Sequence, residues 1–222
     1  EDLFLLMSEE RRPPFRWIIA GPERSGTKMH IDPLGTSAWN VTLTGIKRWI
    51  LFSPKMAAKI ANSSHLMPNQ GSQRPYEAIE YFTLLVPKMR QWVASLPAEK
   101  RAEYCMMECI QYPGEAIFVP NGWHHAVLNY SESVAFTQNW ASVRNFLPIW
   151  KFMCARRTYL ARRLMDRLHV FFPQLALQIE QNIIDEYKST PDELDMYLPH
   201  KSSSLRPRRV TKFDDDKEKD EA

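Results

Sequence analysis

Cysteine is scarce in this chain: 3 among 222 residues. Cys105, Cys109 and Cys154 cannot all pair, which argues against a disulfide scaffold and for a reducing compartment. Cys105 and Cys109 stand four residues apart with no second pair nearby, so a structural zinc module is not expected. No apolar run approaches the roughly 18 residues needed to span a bilayer, and no membrane partner is expected. The opening residues lack the pattern of a secretory signal. Neither sign of charge dominates. Lys and Arg number 29 against 26 Asp and Glu, a net charge of +3, so a strong nucleic-acid polyelectrolyte is not the first reading. Glycine, at 7 residues, is low for an all-β chain. The chain opens on Glu1 rather than Met, and the expectation is an N-terminally incomplete unit.

Apolar residues make up 44% of the chain, and 7 Trp, 8 Tyr and 11 Phe suffice for a sizeable core. Four regions differ in texture. Residues 1–14 are a lead-in whose EDLFLLM could dock one helical turn before Pro13 and Pro14 break it. Residues 15–142 hold about seven short runs that read as strands: FRWIIAG, AWNVTLT, IKRWILFS, ECIQY, EAIFVP, HHAVLNY and SVAFTQNW. They are rich in β-branched and aromatic residues and bounded by turn signals. LTGIK and YPGEA read as tight links, and HAVLNYSESVAF as a hairpin turning near Ser131. An insertion, 54–107, looks partly helical, with Pro87 set to break or kink it. Residues 143–198 carry apolar positions at helical spacing, with Leu160, Leu164 and Leu168 as one stripe and Pro173 starting a further helix. Arg156, Arg157, Arg162, Arg163 and Arg167 lie largely off that stripe. The tail, 199–222, runs from basic RPRRVTK to acidic DDDKEKDEA and is expected to be disordered. Many short strands with tight links point to a sandwich or barrel.

The residues that carry chemistry start with His30-Ile31-Asp32, followed much later by His125. On a strand, positions i and i+2 share a face, so His30 and Asp32 can point into one cavity. Two imidazoles and one carboxylate form the facial triad of non-haem Fe(II) oxygenases, which leaves positions open for a cosubstrate and dioxygen. Chance alone supplies roughly 0.3 His-x-Asp pairs in a chain of this composition, so the motif by itself is weak.

Its surroundings are not weak. GPERSGTKMHIDPLGTSAWNVTLTGIKRWILF and YPGEAIFVPNGWHHAVLNYSESVAFTQNWAS both resemble the JmjC-domain family of Fe(II)- and 2-oxoglutarate-dependent oxygenases. The branch most resembled is the phosphatidylserine-receptor-like one, described as arginine demethylase and lysyl hydroxylase. The resemblance spans about residues 1–150, with a looser echo to about 187. It implies a mainly β fold, a double-stranded β-helix (jelly-roll, cupin-like) barrel with flanking and C-terminal helices. It also implies iron held by His30, Asp32 and His125. The family usually reads Gly-Trp-Trp-His where this chain has Gly122-Trp123-His124-His125. Aligning the Gly-Trp pair puts His125 in the ligand place and His124 on the opposite face of the strand.

For the cosubstrate, the resemblance implies that Lys47 in GIKRW holds the distal carboxylate of 2-oxoglutarate. Thr137 in FTQN, Asn40 in AWN and Thr27 before the metal motif would be further contacts. Asn139 shares a face with Thr137 and would look toward substrate. Bland readings stand beside these: a snorkelling lysine at a strand end for Lys47, and ordinary turn chemistry for Thr27. Trp39, Trp49, Trp123 and Trp140 read mostly as core packing. In the family an upstream tyrosine also contacts 2-oxoglutarate, and this chain starts too late to contain its strand.

The expected activity is oxidative decarboxylation of 2-oxoglutarate to succinate, coupled through O2 to hydroxylation of a protein C–H bond. On lysine the product is hydroxylysine. On an N-methyl arginine it collapses to formaldehyde and free amine. The expected protein substrate is rich in lysine or arginine, such as a histone or splicing factor. RNA is a further candidate partner, through the arginine-rich helix and tail. RPRRVTK fits nuclear import, so the expected location is the nucleus, with the cytoplasm as alternative. Two other classes remain: a non-enzymatic JmjC binding module, and a cupin using another metal for isomerisation. The second fits Lys47, Thr137 and Asn40 poorly, since they suit a dicarboxylate.

Overall fold

A computed structural model describes residues 2–8, 11–63, 66, 76–189 and 197–198. Among them are eight strands: β1 (Arg16–Gly21), β2 (Gly26–His30), β3 (Ser37–Thr44), β4 (Lys47–Phe52), β5 (Met106–Gln111), β6 (Ala116–Val119), β7 (His124–Asn129) and β8 (Ser133–Trp140). They form two antiparallel four-stranded sheets, ordered β1-β8-β3-β6 and β2-β7-β4-β5. Seven match the runs expected from sequence. The eighth, β2, is the short strand that ends on His30.

Consecutive strands change sheet at every step except β4 to β5. The hairpin expected across Ser131 is therefore corrected. β7 pairs with β2 and β4, while β8 pairs with β1 and β3. A turn between two alternating runs looks the same in sequence whether it closes a hairpin or turns a corner between sheets. Here non-local partners on both flanks of each strand decide. The corners lean on one another: Tyr130 N donates to Ile46 O at 2.8 Å, and Ile46 N to Ser131 Oγ at 3.0 Å. Gly45 sits in this crossing with φ 81. A Cβ there would lie 2.2 Å from Glu132 O, so only glycine fits.

Alternation sorts the side chains of the β2-β7-β4-β5 sheet. Ile50, Phe52, Ala126 and Leu128 face out and are buried beneath the helices of the insertion, among Met56, Ile60, Tyr81, Leu85 and Met89. Those helices are α1 (Pro54–Ala61), α2 (Ala78–Glu80), α3 (Val86–Ser95) and α4 (Ala98–Glu103). Ser53 caps α1, its hydroxyl accepting from Met56 N at 3.3 Å. The break expected at Pro87 is absorbed by a π-helical turn, Tyr81–Leu85, that leaves Pro87 in the first turn of α3, where its missing N–H costs nothing. The other sheet leaves Ile18, Leu43 and Phe118 exposed. Trp39 and Trp140 pair with Phe136 and Phe118 and are only half-buried, so they are not the interior packing expected of them.

The C-terminal helices are α5 (Phe146–Arg156), α6 (Thr158–Phe171) and α7 (Pro173–Tyr187). The long helical pattern is broken at Arg157, whose φ of −143 is extended. Leu164 and Leu168 are buried and Leu160 partly so. Leu3, Phe4 and Met7 of the lead-in join the same core, so the opening residues dock as one 3-10 turn, Leu3–Met7. Asp2 pins that turn: its carboxylate accepts from Phe4 N and Ala141 N and pairs with buried Arg12 at 2.6 Å. The tail lies outside the described residues.

Candidate active site

The inner faces of both sheets line one cavity of about 500 Å³. The strands present alternate residues to it: Ala38 and Asn40 from β3, Lys47 and Trp49 from β4, His125, Val127 and Asn129 from β7, Thr137 and Asn139 from β8. β2 needs a special device. Thr27 pairs with Val127 and His30 with His125, so three steps on β2 match two on β7 across a bulge. Three steps of regular strand would put Thr27 and His30 on opposite faces. The extra residue brings both to the cavity and sets His30 directly across from His125, ring centroids 4.3 Å apart.

Asp32 completes the group from just beyond β2, at the head of a short 3-10 turn, Pro33–Gly35. The strand argument for its facing His30 is thus corrected in detail: the chain has left the strand, yet the side chains converge. One potential ligand atom from each of His30, Asp32 and His125 lies within 4.8 Å of the others. His124 is not among the cavity-lining residues.

The imidazoles are held alike. His30 Nδ1 lies 2.8 Å from Lys28 O, and His125 Nδ1 lies 3.3 Å from Trp123 O. A carbonyl only accepts, so each Nδ1 donates and each Nε2 is left as the atom that can face a metal. Desolvation and the neighbouring His30 push the His125 imidazole down to about 3, so it is neutral, as a metal ligand must be. Burial raises the Asp32 carboxyl, against the opposing pull of Asn139 and His30. Asp32 Oδ2 is buried with no hydrogen-bond partner. An orphaned carboxyl oxygen clustered with two imidazoles fits a divalent cation. With no thiolate in the set, the donors suit iron of the facial-triad kind.

Further along, Lys47 is 3% exposed, and no described residue is within ion-pair or hydrogen-bond reach of its ammonium. Burial lowers its pKa. Its side chain turns into the cavity between the sheets, where a snorkelling lysine would run out along the surface. Asn40 Oδ1 is buried and unpartnered. Thr137 Oγ1 donates to Trp39 O at 2.9 Å, and its lone pairs remain available. Thr27 is exposed at the rim. Asn139 donates to Thr36 Oγ1 at 2.8 Å and leaves its Oδ1 buried and unpartnered.

Sequence reasoning missed three groups. Trp49 stacks beside His125, centroids 5.8 Å apart, and donates to Gln111 Oε1 at 2.7 Å. Gln111 in turn donates to Asn40 O and Glu115 O, tying the two sheets together behind the cavity. Asn129 and Ser25 line the cavity near Lys47. Alternation from His125 through Val127 was the signal that pointed to Asn129.

Residues 17–140 match the family described as "JmjC domain, hydroxylase". The chain belongs to the JmjC family. It is 37% identical over 204 residues to the "Bifunctional arginine demethylase and lysyl-hydroxylase psr-1" of Caenorhabditis elegans, covering 92% of this chain and 46% of that protein. It is 42% identical over 154 residues to "Arginine-specific demethylase JMJ22" of Arabidopsis thaliana, covering 69% and 28%. With "2-oxoglutarate and iron-dependent oxygenase JMJD4" of Mus musculus it shares 28% over 179 residues, covering 80% and 34%. The chain spans less than half the length of each.

Proposed function

We propose that this chain carries the catalytic centre of an Fe(II)- and 2-oxoglutarate-dependent protein oxygenase. The observation that supports it most is the sharing of one cavity by a His-Asp-His cluster and a buried, unpaired lysine. His30, Asp32 and His125 would hold iron, which together with 2-oxoglutarate and O2 supplies the oxidising power to hydroxylate a C–H bond. Lys47 would take the distal carboxylate, since a buried cation without a partner calls for an anion. Asn40 and Thr137 would supply polar contacts beside it, and Thr27 the rim. Trp49, Val127 and Ala38 form apolar walls that keep water from the bound cosubstrate. Asn139 would look toward substrate.

The strand order supports a double-stranded β-helix for residues 15–142, since sheet crossings at all but one step are the winding of that fold. The insertion 54–107 and the helices of 143–198 would be layers added to it. The substrate would be a protein side chain. Lysine hydroxylation is the first reading and demethylation of methylated arginine the second; both activities are in the name of the psr-1 relative, and JMJ22 is named for arginine demethylation alone. The exposed arginines Arg156, Arg157, Arg162 and Arg167 support a second role, contact with RNA. RNA binding that survives His30→Ala and weakens with salt would carry it. Basic segment 206–212 supports a nuclear location, and a reporter fused to it that stays cytoplasmic would refute that. The central test is succinate release with iron and 2-oxoglutarate. Turnover no greater than that of His30→Ala would overturn the enzymatic reading.

A further inference from the structure

One end of the cavity is lined by a turn rather than a strand. Residues 22–25 join β1 to β2, and Pro22 and Ser25 line the cavity with Gly21. Asn129 holds this turn from both its backbone and its side chain. Asn129 N donates to Ser25 O at 2.8 Å, and Arg24 N to Asn129 O at 2.8 Å. Asn129 Nδ2 donates to Ser25 Oγ at 2.9 Å and approaches Pro22 O at 3.4 Å. Ser25 Oγ donates to Pro22 O at 2.6 Å. The fit is close, because a Cβ on Gly21 would lie 2.7 Å from Ser25 Oγ and 3.0 Å from Asn129 Nδ2.

The wall stands at a defined place. Asn129 is directly opposite Lys47 in the β4–β7 register. It shares β7 and a face with His125, four residues away, or about 13 Å at ~3.3 Å per residue. His125 of the candidate metal cluster and Asn129 at the turn-lined end therefore lie on one strand, with Lys47, which no described residue pairs, beside that end. Asn129 is 4% exposed, and its Oδ1 is buried without a partner. A buried acceptor beside a buried cation suits a site where the ammonium is shared between a ligand carboxylate and the amide oxygen.

We propose that Asn129, with the 22–25 turn it latches, is the end wall that fixes the length of the diacid cosubstrate. It would set 2-oxoglutarate above its homologue one methylene longer, 2-oxoadipate. The inference rests on the proposed function and adds to it the residue that measures the cosubstrate. A wall of this kind gives a signed prediction. Asn129→Ala shortens the wall and unlatches the turn, so room opens for the longer acid. Asn129→Gln pushes the wall inward, so the shorter acid, oxaloacetate, gains relative to 2-oxoglutarate. Ser25→Ala removes one latch partner only and shifts the balance toward the longer acid by less.

The experiment is calorimetric titration of the three acids into the manganese-loaded full chain and each variant, with a thermal melt of every protein. The expected result is a ratio of 2-oxoadipate to 2-oxoglutarate affinity that rises about tenfold in Asn129→Ala. In Asn129→Gln the ratio of oxaloacetate to 2-oxoglutarate should rise. Ratios within about threefold of wild type in folded variants overturn the inference and leave the proposed function standing. Should both Asn129 variants fail to fold, Ser25→Ala decides, and an unmoved ratio there overturns it. A wild-type chain that binds none of the three acids sinks the proposed function and this inference with it.

Discussion

The space between the sheets and the helical layer beside them are built to opposite rules. Between the sheets, Asp32 Oδ2, Asn40 Oδ1, Asn129 Oδ1 and Asn139 Oδ1 are all buried without partners among the described residues, and none of these residues pairs with the cation of Lys47. In the helical layer, Phe4, Ile149, Trp150, Leu164, Leu168, Ile179 and Ile183 pack apolar against apolar. The indole N–H of Trp150 there finds Tyr197 O at 2.8 Å. An unpaired buried polar group costs on the order of 1–3 kcal/mol. Arg12 Nε, Thr42 Oγ1 and His124 Nδ1 are also unpartnered, but scattered; a fold that gathers four such atoms in one cavity has placed them for a ligand. Stability should therefore depend on the helices and ligand binding on the cavity, with little exchange between the two.

The largest expected effect is on metal. Asp32→Ala removes the carboxylate and its charge and leaves two imidazoles, which hold a divalent ion weakly. Stoichiometric iron should be lost after desalting, as read by elemental analysis. The melting temperature of the metal-free protein should hold or rise, since an orphaned buried oxygen is removed. Full iron content in Asp32→Ala would break the assignment of the cluster.

Next is the core of the helical layer. Trp150→Ala should cost about 3–5 kcal/mol of stability, read by denaturant unfolding. Whatever fraction stays folded should bind 2-oxoglutarate as wild type does. A change in its affinity without a loss of stability would erase the division between the two regions.

Lys47→Ala should act the opposite way. Leaving the distal carboxylate without its counter-charge costs about 3–5 kcal/mol, or a hundredfold or more in 2-oxoglutarate affinity at about 1.4 kcal/mol per tenfold. Lys47→Arg should rescue only in part, because the guanidinium is larger and its reach differs. The apo protein should be no less stable, since the buried charge has no partner to lose. An affinity within about threefold of wild type would retire Lys47 from the cosubstrate site.

How much of this was legible in the sequence divides along the same line. The seven strand runs are local alternations, and they stand where the pattern placed them. His30, Asp32, Lys47, Asn40, Thr27, Thr137 and His125 were named from the resemblance, and the structure brings all seven to one cavity. The bulge in β2 was not legible, because nothing local in Thr27-Lys28-Met29-His30 announces that β7 pairs with it two for three. The corner at Ser131 was misread as a hairpin for the same reason: pairing between distant strands leaves no mark on the turn. Gln111 was missed because its partners, Trp49 and the Asn40 carbonyl, lie far away in sequence. Asn129 could have been found by extending the His125 face two steps further.

The smallest expected effect lies where the insertion helices meet the sheet. Ser53 ends the connection from β4 and caps α1, its hydroxyl accepting from Met56 N and donating to Glu103 O at 3.2 Å. Lys47 and Ser53 thus stand at opposite ends of one short stretch of chain, one facing the cavity and the other holding the layer outside it. Ser53→Ala removes the cap and one link to α4, at a cost of about 1 kcal/mol. For a chain of this length that is a fall of roughly 2–4 °C in melting temperature. Because α1 packs on Phe52 and the outward face of the sheet, the loss should stay on that side. Metal content and 2-oxoglutarate affinity should match wild type. A Ser53→Ala protein that melts as predicted but binds 2-oxoglutarate tenfold more weakly would show that the helices outside the sheet hold the shape of the cavity within it.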